Sequence, residues 1–172
     1  MSVIQERLLA LQAQNEFIKC YALIDGLQYE RYFGDEIEKD YHTSPLLHRP
    51  GDAKIAFAGP WLKEITESNQ DSFNTLTELE KDNPAVSWLF SEWRFSNLFF
   101  HLGSYLDINL SDNEVALFRY YDPRILMQLP EVLLDRHWLS LIAPLHEWIV
   151  CLDKKYYTAN KQRPMWAMIK ES

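Results

Sequence analysis

Val115-Ala-Leu-Phe-Arg-Tyr-Tyr-Asp-Pro-Arg-Ile-Leu126 is the stretch of sequence around which the fold can be worked out. Its first half, up to Tyr121, alternates aliphatic and aromatic side chains, which favours a half-buried β-strand. Asp122 can accept hydrogen bonds from the first turn of a helix, and Pro123 suits the first helical position because its φ is already set. The pattern therefore predicts a strand that ends at Tyr121 and a helix that begins directly after Asp122.

Arg119 is the charged residue within this predicted strand. An unpaired charge near a protein core is costly, so we expect a carboxylate partner, either Asp122 or a carboxylate elsewhere, such as Asp25. Two interpretations remain open. Arg119 either forms a structural ion pair that fixes the turn from strand to helix, or it belongs to a functional site with Asp122 and Arg124. The end of a sheet is where α/β proteins tend to place such sites.

Hydrophobic patterns before this stretch predict alternating helices and strands. Asp25-Gly26 closes the first apolar strand as a turn, and Gly59-Pro60 leads into the second, since proline is tolerated at the first residue of a strand. The predicted helices cover residues 2–18, 27–40, 72–81 and 95–106, and the predicted strands cover residues 20–24, 61–65 and 86–91. Ser2 and Gln5 fit a capping box at the start of the first helix, and a break is expected near Gly34 in the second.

The second half of the chain predicts a hairpin followed by further helices. Residues 108–110 and 115–121 flank a credible four-residue hairpin loop. Short helices follow from Glu131 and Asp135, whereas residues 148–152 fit either a last strand or the end of a helix. The pattern therefore predicts an α/β (or α+β) fold: a single domain with a mixed sheet of four to six strands, flanking helices and a late β-hairpin.

The end of the chain differs in character from the rest. Residues 154–163 are polar and basic, and Pro164–Ile169 is apolar. We therefore divide the chain into a domain, residues 1–153, and a C-terminal tail, residues 154–172. An apolar terminal segment is costly to leave in water, so it either packs back onto the domain or docks on a partner.

Composition and charge argue against several classes of protein. The net charge of −8 and the isoelectric point near 5.1 disfavour nucleic acid or an anionic membrane as a main partner. No stretch approaches the ~18 consecutive apolar residues of a membrane span, and the N-terminus lacks the order of a signal peptide. We expect a cytoplasmic protein in which Cys20 and Cys151 are buried and reduced.

The common catalytic, phosphate-binding and metal-binding motifs do not occur in the sequence. His42 and His48 are the closest pair of histidines, but no further ligands accompany them at a supporting spacing. We therefore predict no catalytic residue, no metal and no cofactor.

A small hydrolase with an unrecognised site is the alternative hypothesis. Its nucleophile would be one of the two cysteines, paired with His101 or His146, or its site would use the acids of residues 35–40. Apolar surroundings make both thiols inert by raising their pKa, and a solvated surface explains the acids. On this hypothesis, substituting the cysteines and histidines abolishes function without unfolding the protein.

One segment makes the chain recognisable. Phe118-Arg-Tyr-Tyr-Asp-Pro-Arg-Ile-Leu126 resembles the signature of the effector adaptor/chaperone family of the bacterial type VI secretion system. That family was long known only as a domain of unknown function, encoded beside the spike protein VgrG and toxic effectors. Three further segments resemble it in the right order, so that the similarity covers roughly residues 20–150: Tyr21-Ala-Leu-Ile-Asp-Gly26, Ala58-Gly-Pro-Trp-Leu62 and Trp88-Leu-Phe-Ser91.

The resemblance implies a non-enzymatic adaptor chaperone. Such a protein binds one toxic effector, keeps it soluble in the cytoplasm and loads it onto the spike protein, VgrG. We expect neither nucleic acid nor membrane as a partner, and a structural subunit of a larger assembly is a third hypothesis. The motif residues of the matching segments are Asp25, Gly26, Gly59, Pro60, Arg119, Asp122 and Pro123.

Contact residues are predicted from their type and position. Aromatic side chains and arginines dominate protein interfaces, and those near the ends of predicted elements are candidates for partner binding. We assign Trp61, Trp88 and Phe118 to the core instead. The candidates for partner binding are Trp93, Phe95, Tyr121, Arg124 and Trp166.

Overall fold

The computed structural model describes residues 1–171. Within them the chain forms seven α-helices and nine β-strands, joined in places by short 3₁₀ turns. The helices are α1 (Val3–Gln12), α2 (Gly26–Phe33), α3 (Gln70–Asp82), α4 (Phe95–Gly103), α5 (Pro123–Leu126), α6 (Leu129–Val132) and α7 (Asp135–Ile142). The strands are β1 (Lys19–Asp25), β2 (Thr43–Pro45), β3 (Pro60–Ile65), β4 (Val86–Ser91), β5 (Asp107–Asn109), β6 (Val115–Leu117), β7 (Glu147–Leu152), β8 (Lys155–Ala159) and β9 (Ala167–Met168).

Seven of these strands form one sheet, the main sheet, in the order β2-β3-β1-β4-β7-β8-β9. Each neighbouring pair in it is antiparallel. The predicted class, one domain that combines helices with a sheet, is confirmed, but the main sheet is antiparallel throughout and not mixed as predicted. The sheet is larger than the predicted four to six strands because short edge strands and the polar β8 carry too weak a hydrophobic pattern to be recognised.

The centre of the main sheet is buried on both faces, which explains the unbroken apolar sequences of β1 and β4. Alternate side chains of β1 enter opposite cores: Tyr21 and Leu23 lie on one side, Ala22 and Ile24 on the other. This alternation is the two-residue period of a strand. Among the predicted core residues, Trp61 and Trp88 are buried and Phe118 packs against the core half-buried.

The predicted strand over residues 115–121 is wrong in its second half. β6 ends at Leu117, and it pairs with β5 in a separate two-stranded hairpin rather than in the main sheet. The backbone then turns inward. Tyr120 is buried and its hydroxyl donates to the carbonyl oxygen of Leu102 at 2.5 Å, so the aromatic residues enter the core without a strand.

The predicted boundary at residue 153 is also wrong. β8 lies within the proposed tail and pairs with β7 through a tight turn in which Asp153 and Lys154 have φ of 51° and 62°. Two successive positive φ values suit the right-handed twist of a hairpin, but Asp-Lys is not a sequence that predicts them. Residues 148–152 therefore form a strand, and the tail packs back onto the domain.

The apolar end of the tail is held by two indole donors. Nε1 of Trp138 donates to the carbonyl oxygen of Pro164 at 2.6 Å, and Nε1 of Trp166 donates to that of Leu126 at 3.1 Å. β9 follows and pairs with β8. Within residues 1–171, each helix is too short or too polar to span a membrane.

Helix ends agree with their local chemistry. The capping box at the start of α1 is confirmed, since Ser2 and Gln5 bond each other's backbone N–H. α1 ends at Gln12, well before the predicted residue 18. Gly34 ends α2 with a φ of 80°, which is the predicted break and a conformation that glycine adopts at little cost.

Glu80 is a carboxylic acid buried between α3, β4 and β8. It accepts hydrogen bonds from Nε1 of Trp88 at 2.8 Å and from the hydroxyl of Tyr156 at 2.7 Å. Burial raises the pKa of Glu80 to about 7, although these two donors and the charge of Lys81 act in the opposite direction. The side chain thus joins the C-terminal strand β8 to the rest of the sheet.

We predict that Glu80→Gln reduces the pH dependence of stability. A carboxyl whose pKa is higher in the folded chain binds its proton more tightly there, so its stabilising effect is complete below the unfolded value of 4.5 and is lost as the pH rises through about 7. The wild type should lose up to about 3 kcal/mol from this group between about pH 4 and about pH 8. Urea denaturation of wild type and variant at both pH values measures the difference.

The matched control for this substitution is Glu78→Gln, on the exposed face of the same helix. This variant should keep the wild-type pH profile. An unchanged profile in the Glu80→Gln variant would contradict the role assigned to the buried carboxyl.

Candidate functional site at the end of the main sheet

Four charged residues meet where β1 ends and α5 begins: Asp25, Arg119, Asp122 and Arg124. We call them the acid–arginine cluster. Both carboxylates are buried, whereas the arginine side chains remain 49% exposed for Arg119 and 63% exposed for Arg124. The positive charges of the cluster therefore lie at the surface, and its negative charges are buried beneath them.

Asp25 is the last residue of β1 and the N-cap of α2. Its Oδ1 accepts hydrogen bonds from the backbone N–H of Leu27 at 3.1 Å and of Gln28 at 3.2 Å. Burial raises the pKa of Asp25, and these N–H donors together with Arg119 oppose that shift. The predicted turn at Asp25-Gly26 is thus the start of a helix.

Two glycines allow the backbones to approach closely beside Asp25. The N–H of Gly26 donates to the carbonyl oxygen of Gly59 at 2.9 Å. A Cβ on Gly26 would lie 2.0 Å from the carbonyl oxygen of Phe57, and one on Gly59 would lie 2.7 Å from Cδ1 of Leu47. Pro60 starts β3 and lies opposite Asp25, as expected of a proline at the first residue of a strand. The motif residues around Asp25 therefore have a packing role.

Arg119 pairs with Asp25, a carboxylate distant in the sequence, rather than with Asp122. Its NH2 lies 3.8 Å from Oδ2 of Asp25, and its guanidinium carbon lies 5.9 Å from the centroid of the Tyr121 ring. The contact joins the irregular segment after β6 to the end of β1. Because half of the side chain is exposed, Arg119 can form this pair and still contact another molecule.

Asp122 caps α5, as the sequence predicts. Its Oδ1 accepts from the backbone N–H of Arg124 at 2.9 Å, and Pro123 occupies the first helical position. Nε of Arg124 donates to Oδ1 at 3.1 Å and NH2 donates to Oδ2 at 2.8 Å. This bidentate hydrogen bonding and the carboxylate charge raise the pKa of Arg124.

The surroundings of Arg124 form a shallow cavity of about 420 Å³. It lies between the α3–β4 connection and the β7–β8 turn, and its lining includes Lys81, Asp153 and Lys154. Guanidinium groups held in fixed directions at such a rim can bind carboxylates or backbone carbonyl groups of another protein.

The predicted contact residues do not form one surface. Tyr121 is only 2% exposed, so its prediction as a contact residue is wrong: its ring lies in the core beneath Arg119. Trp166 is half-buried against Trp138, at 6.0 Å between ring centroids, and Arg124 is exposed.

Trp93 and Phe95 lie at the other end of the sheet. They follow β4, whose last residue, Ser91, pairs with Lys19, whereas Asp25 lies at the opposite end of β1. Trp93 is exposed beside His101, and Phe95 is half-buried and stacks on Phe99. These two aromatic residues are therefore separate from the acid–arginine cluster.

The two cysteines match the expected buried positions. Burial raises the pKa of Cys20 strongly, and that of Cys151 to about 12. Thiols in this state are poor nucleophiles. Among residues 1–171, no group of three or more His, Cys, Asp or Glu side chains is arranged to hold a metal ion.

One surface was not foreseen. The hairpin of β5 and β6 exposes four aliphatic side chains although its alternating pattern is typical of a half-buried strand. The alternation alone does not distinguish a strand that packs on the core from one that offers its apolar side chains to another molecule. The four residues are Ile108, Leu110, Val115 and Leu117.

Comparison with known protein families assigns this one-domain protein to one of them. The family model described as "Domain of unknown function (DUF4123)" matches residues 20–139. The chain belongs to this family. The matched region starts in β1, ends in α7 and contains the whole acid–arginine cluster and both close-packed glycines. Searches of curated proteins and of solved structures found no match.

We predict that Gly26→Ala destabilises the protein by about 3 kcal/mol or more, because the new methyl group would overlap a backbone carbonyl that cannot move independently. Gly103→Ala is the matched control, since nothing lies within 4 Å of a Cβ there. It should be neutral or stabilise the end of α4. Thermal unfolding of both variants measures the effect, and equal melting temperatures would refute it.

We predict weak coupling between Asp25 and Arg119. The pair is 3.8 Å apart and half exposed on the arginine side, so a double-mutant cycle with Asp25→Asn and Arg119→Gln should give less than about 1 kcal/mol. Asp25→Ala should cost about 1–2 kcal/mol beyond this, because α2 loses its cap. Chemical denaturation tests both values, and a coupling above about 2 kcal/mol would show that the pair is a major stabilising contact.

Proposed function

We propose that this protein is a non-enzymatic adaptor chaperone of a bacterial type VI secretion system. It binds one toxic effector in the cytoplasm, keeps it soluble and loads it onto the spike protein, VgrG. Membership of the DUF4123 family and the resemblance of Phe118–Leu126 to the adaptor signature support the proposal.

The observation that carries it is the geometry of this signature. Arg119 and Arg124 are exposed, while Asp25 and Asp122 hold them from below. Arg124 is already ordered by its two side-chain hydrogen bonds to Asp122, so it loses less side-chain entropy when it binds a partner. Such residues are frequent among those that contribute most to protein–protein affinity.

The charge of the chain is consistent with this role. A net charge of −8 keeps a protein with exposed apolar side chains soluble while its partner is absent. The same charge disfavours nucleic acid and anionic membranes as partners. We therefore propose that its partners are proteins, the effector and the spike.

No observation favours the alternative of a small hydrolase. Its thiol nucleophile would be Cys20 or Cys151, and burial raises the pKa of both. On the adaptor proposal, substitution of either cysteine changes function only through stability.

The decisive experiment is affinity purification of the tagged protein from its native cells, followed by mass spectrometry. We expect one effector, with or without the spike protein. The double variant Arg119→Gln/Arg124→Gln should recover at least about tenfold less of it, because each exposed guanidinium lost costs an interface about 1 kcal/mol or more.

Arg136→Gln is the control, since Arg136 is an exposed arginine on α7, outside the cluster. It should recover the wild-type amount of effector. The melting temperature of each variant should be measured, so that a loss of binding is not confused with a loss of stability. If the wild type enriches neither an effector nor a spike protein, the adaptor function is overturned. If the double variant captures as much effector as the wild type, the cluster is not the contact surface.

A further inference from the structure

The β5–β6 hairpin stands apart from the main sheet, so that the outer edge of β6 is open. Its register pairs Asp107 with Leu117 and Asn109 with Val115. The N–H of Phe118 donates to Leu106 and that of Leu110 donates to Glu114. Bonded and non-bonded pairs alternate along an antiparallel ladder, so the N–H and C=O groups of Val115 and Leu117 point away from β5.

β6 is as short as β2, but its outer edge lacks the other usual protections against pairing. Natural edge strands are short, charged or interrupted by proline. The edges of the main sheet follow that rule, since β2 has three residues and ends in Pro45, and β9 has two residues. β6 contains neither a charge nor a proline, and Val115 and Leu117 are 59% and 39% exposed.

The two faces of β6 suit different kinds of side chain. Val115 and Leu117 share one face and border a cavity of about 340 Å³ that Leu47 and Ile55 also line. Ala116 of β6 and Glu114, directly before the strand, point to the opposite face, which Ile108 of β5 shares.

The charge of the hairpin indicates what kind of strand could pair with the open edge of β6. Residues 105–118 contain three carboxylates and no lysine or arginine. The carboxylate of Asp107 is paired with Arg49, whereas no ion pair within residues 1–171 involves Asp112 or Glu114. A basic strand would complement these charges, and an acidic one would be repelled.

We propose that an extended segment of a partner protein, with aliphatic and basic residues in alternation, adds to β6 as a third antiparallel strand. Its aliphatic side chains lie beside Val115 and Leu117, and its basic side chains lie on the face of Glu114. Main-chain hydrogen bonds to the open edge supply affinity, and the alternation supplies specificity. The inference rests on the proposed adaptor function, because that function supplies a protein partner.

The test uses a fluorescently labelled peptide of alternating valine and lysine residues and the full-length protein. In the predicted register each valine exchanges hydrogen bonds with Val115 or Leu117, because directly opposite residues share a face. N-methylation of the valines should therefore weaken binding at least about tenfold, whereas N-methylation of the lysines should change it less than about threefold. Fluorescence anisotropy measures both affinities.

Substitutions in the protein, instead of in the peptide, test the same edge. Leu117→Pro removes an outward N–H without removing a bond of the β5–β6 ladder, and it should weaken peptide binding at least about tenfold. Glu114→Gln should weaken it about two- to fivefold, and less at high salt. If Leu117→Pro does not fold, the two N-methylated peptides still decide the question on the wild type.

Equal affinity of the two N-methylated peptides, or no binding of the unmodified peptide, overturns the proposal. Wild-type effector capture by a folded Leu117→Pro variant also overturns it and leaves the adaptor function intact. If the peptide binds as predicted but the wild type captures no effector or spike protein from cells, the open edge is supported and the adaptor function fails.

Discussion

The antiparallel pairing of β1 with both β3 and β4 is the constraint on which the rest of the structure depends. It buries β1 on both faces and brings Asp25, the last residue of that strand, against Pro60 and the backbone of Gly59. The two glycines permit this approach, since any larger side chain would overlap backbone or core atoms. A charged residue can end a buried strand here because the first turn of α2 supplies two N–H donors.

The chain repeats the same local solution at Asp122. In both places a buried carboxylate caps a short helix and also holds an arginine that stays largely exposed. The carboxylates recover part of the desolvation cost through backbone donors, and two side-chain hydrogen bonds from Arg124 to Asp122 fix the direction of that arginine. An ordered surface charge is therefore obtained from residues that the fold already needs.

The β5–β6 hairpin differs from the acid–arginine cluster, because its exposed side chains are apolar. β5 and β6 are tied to the domain through the ion pair between Arg49 and Asp107 and through the return of the backbone at Phe118, yet their aliphatic side chains remain exposed. A two-stranded sheet with an apolar surface is marginal by itself. A third strand would cover that surface and satisfy the backbone groups, so the hairpin has the properties of an incomplete sheet.

Local chemistry alone determined much of this protein: the apolar strands β1, β3 and β4, the cap at Asp122, the break at Gly34 and the need of Arg119 for a carboxylate partner. These features depend on neighbouring residues, whose spacing is visible in the sequence. The tertiary structure decided that the carboxylate is Asp25, that Tyr121 is buried, that β8 extends the sheet and that β6 stays outside it. Each of these depends on contacts between residues far apart in the chain. Hydrophobic periodicity and secondary-structure propensity do not show which other surface a segment will pack against.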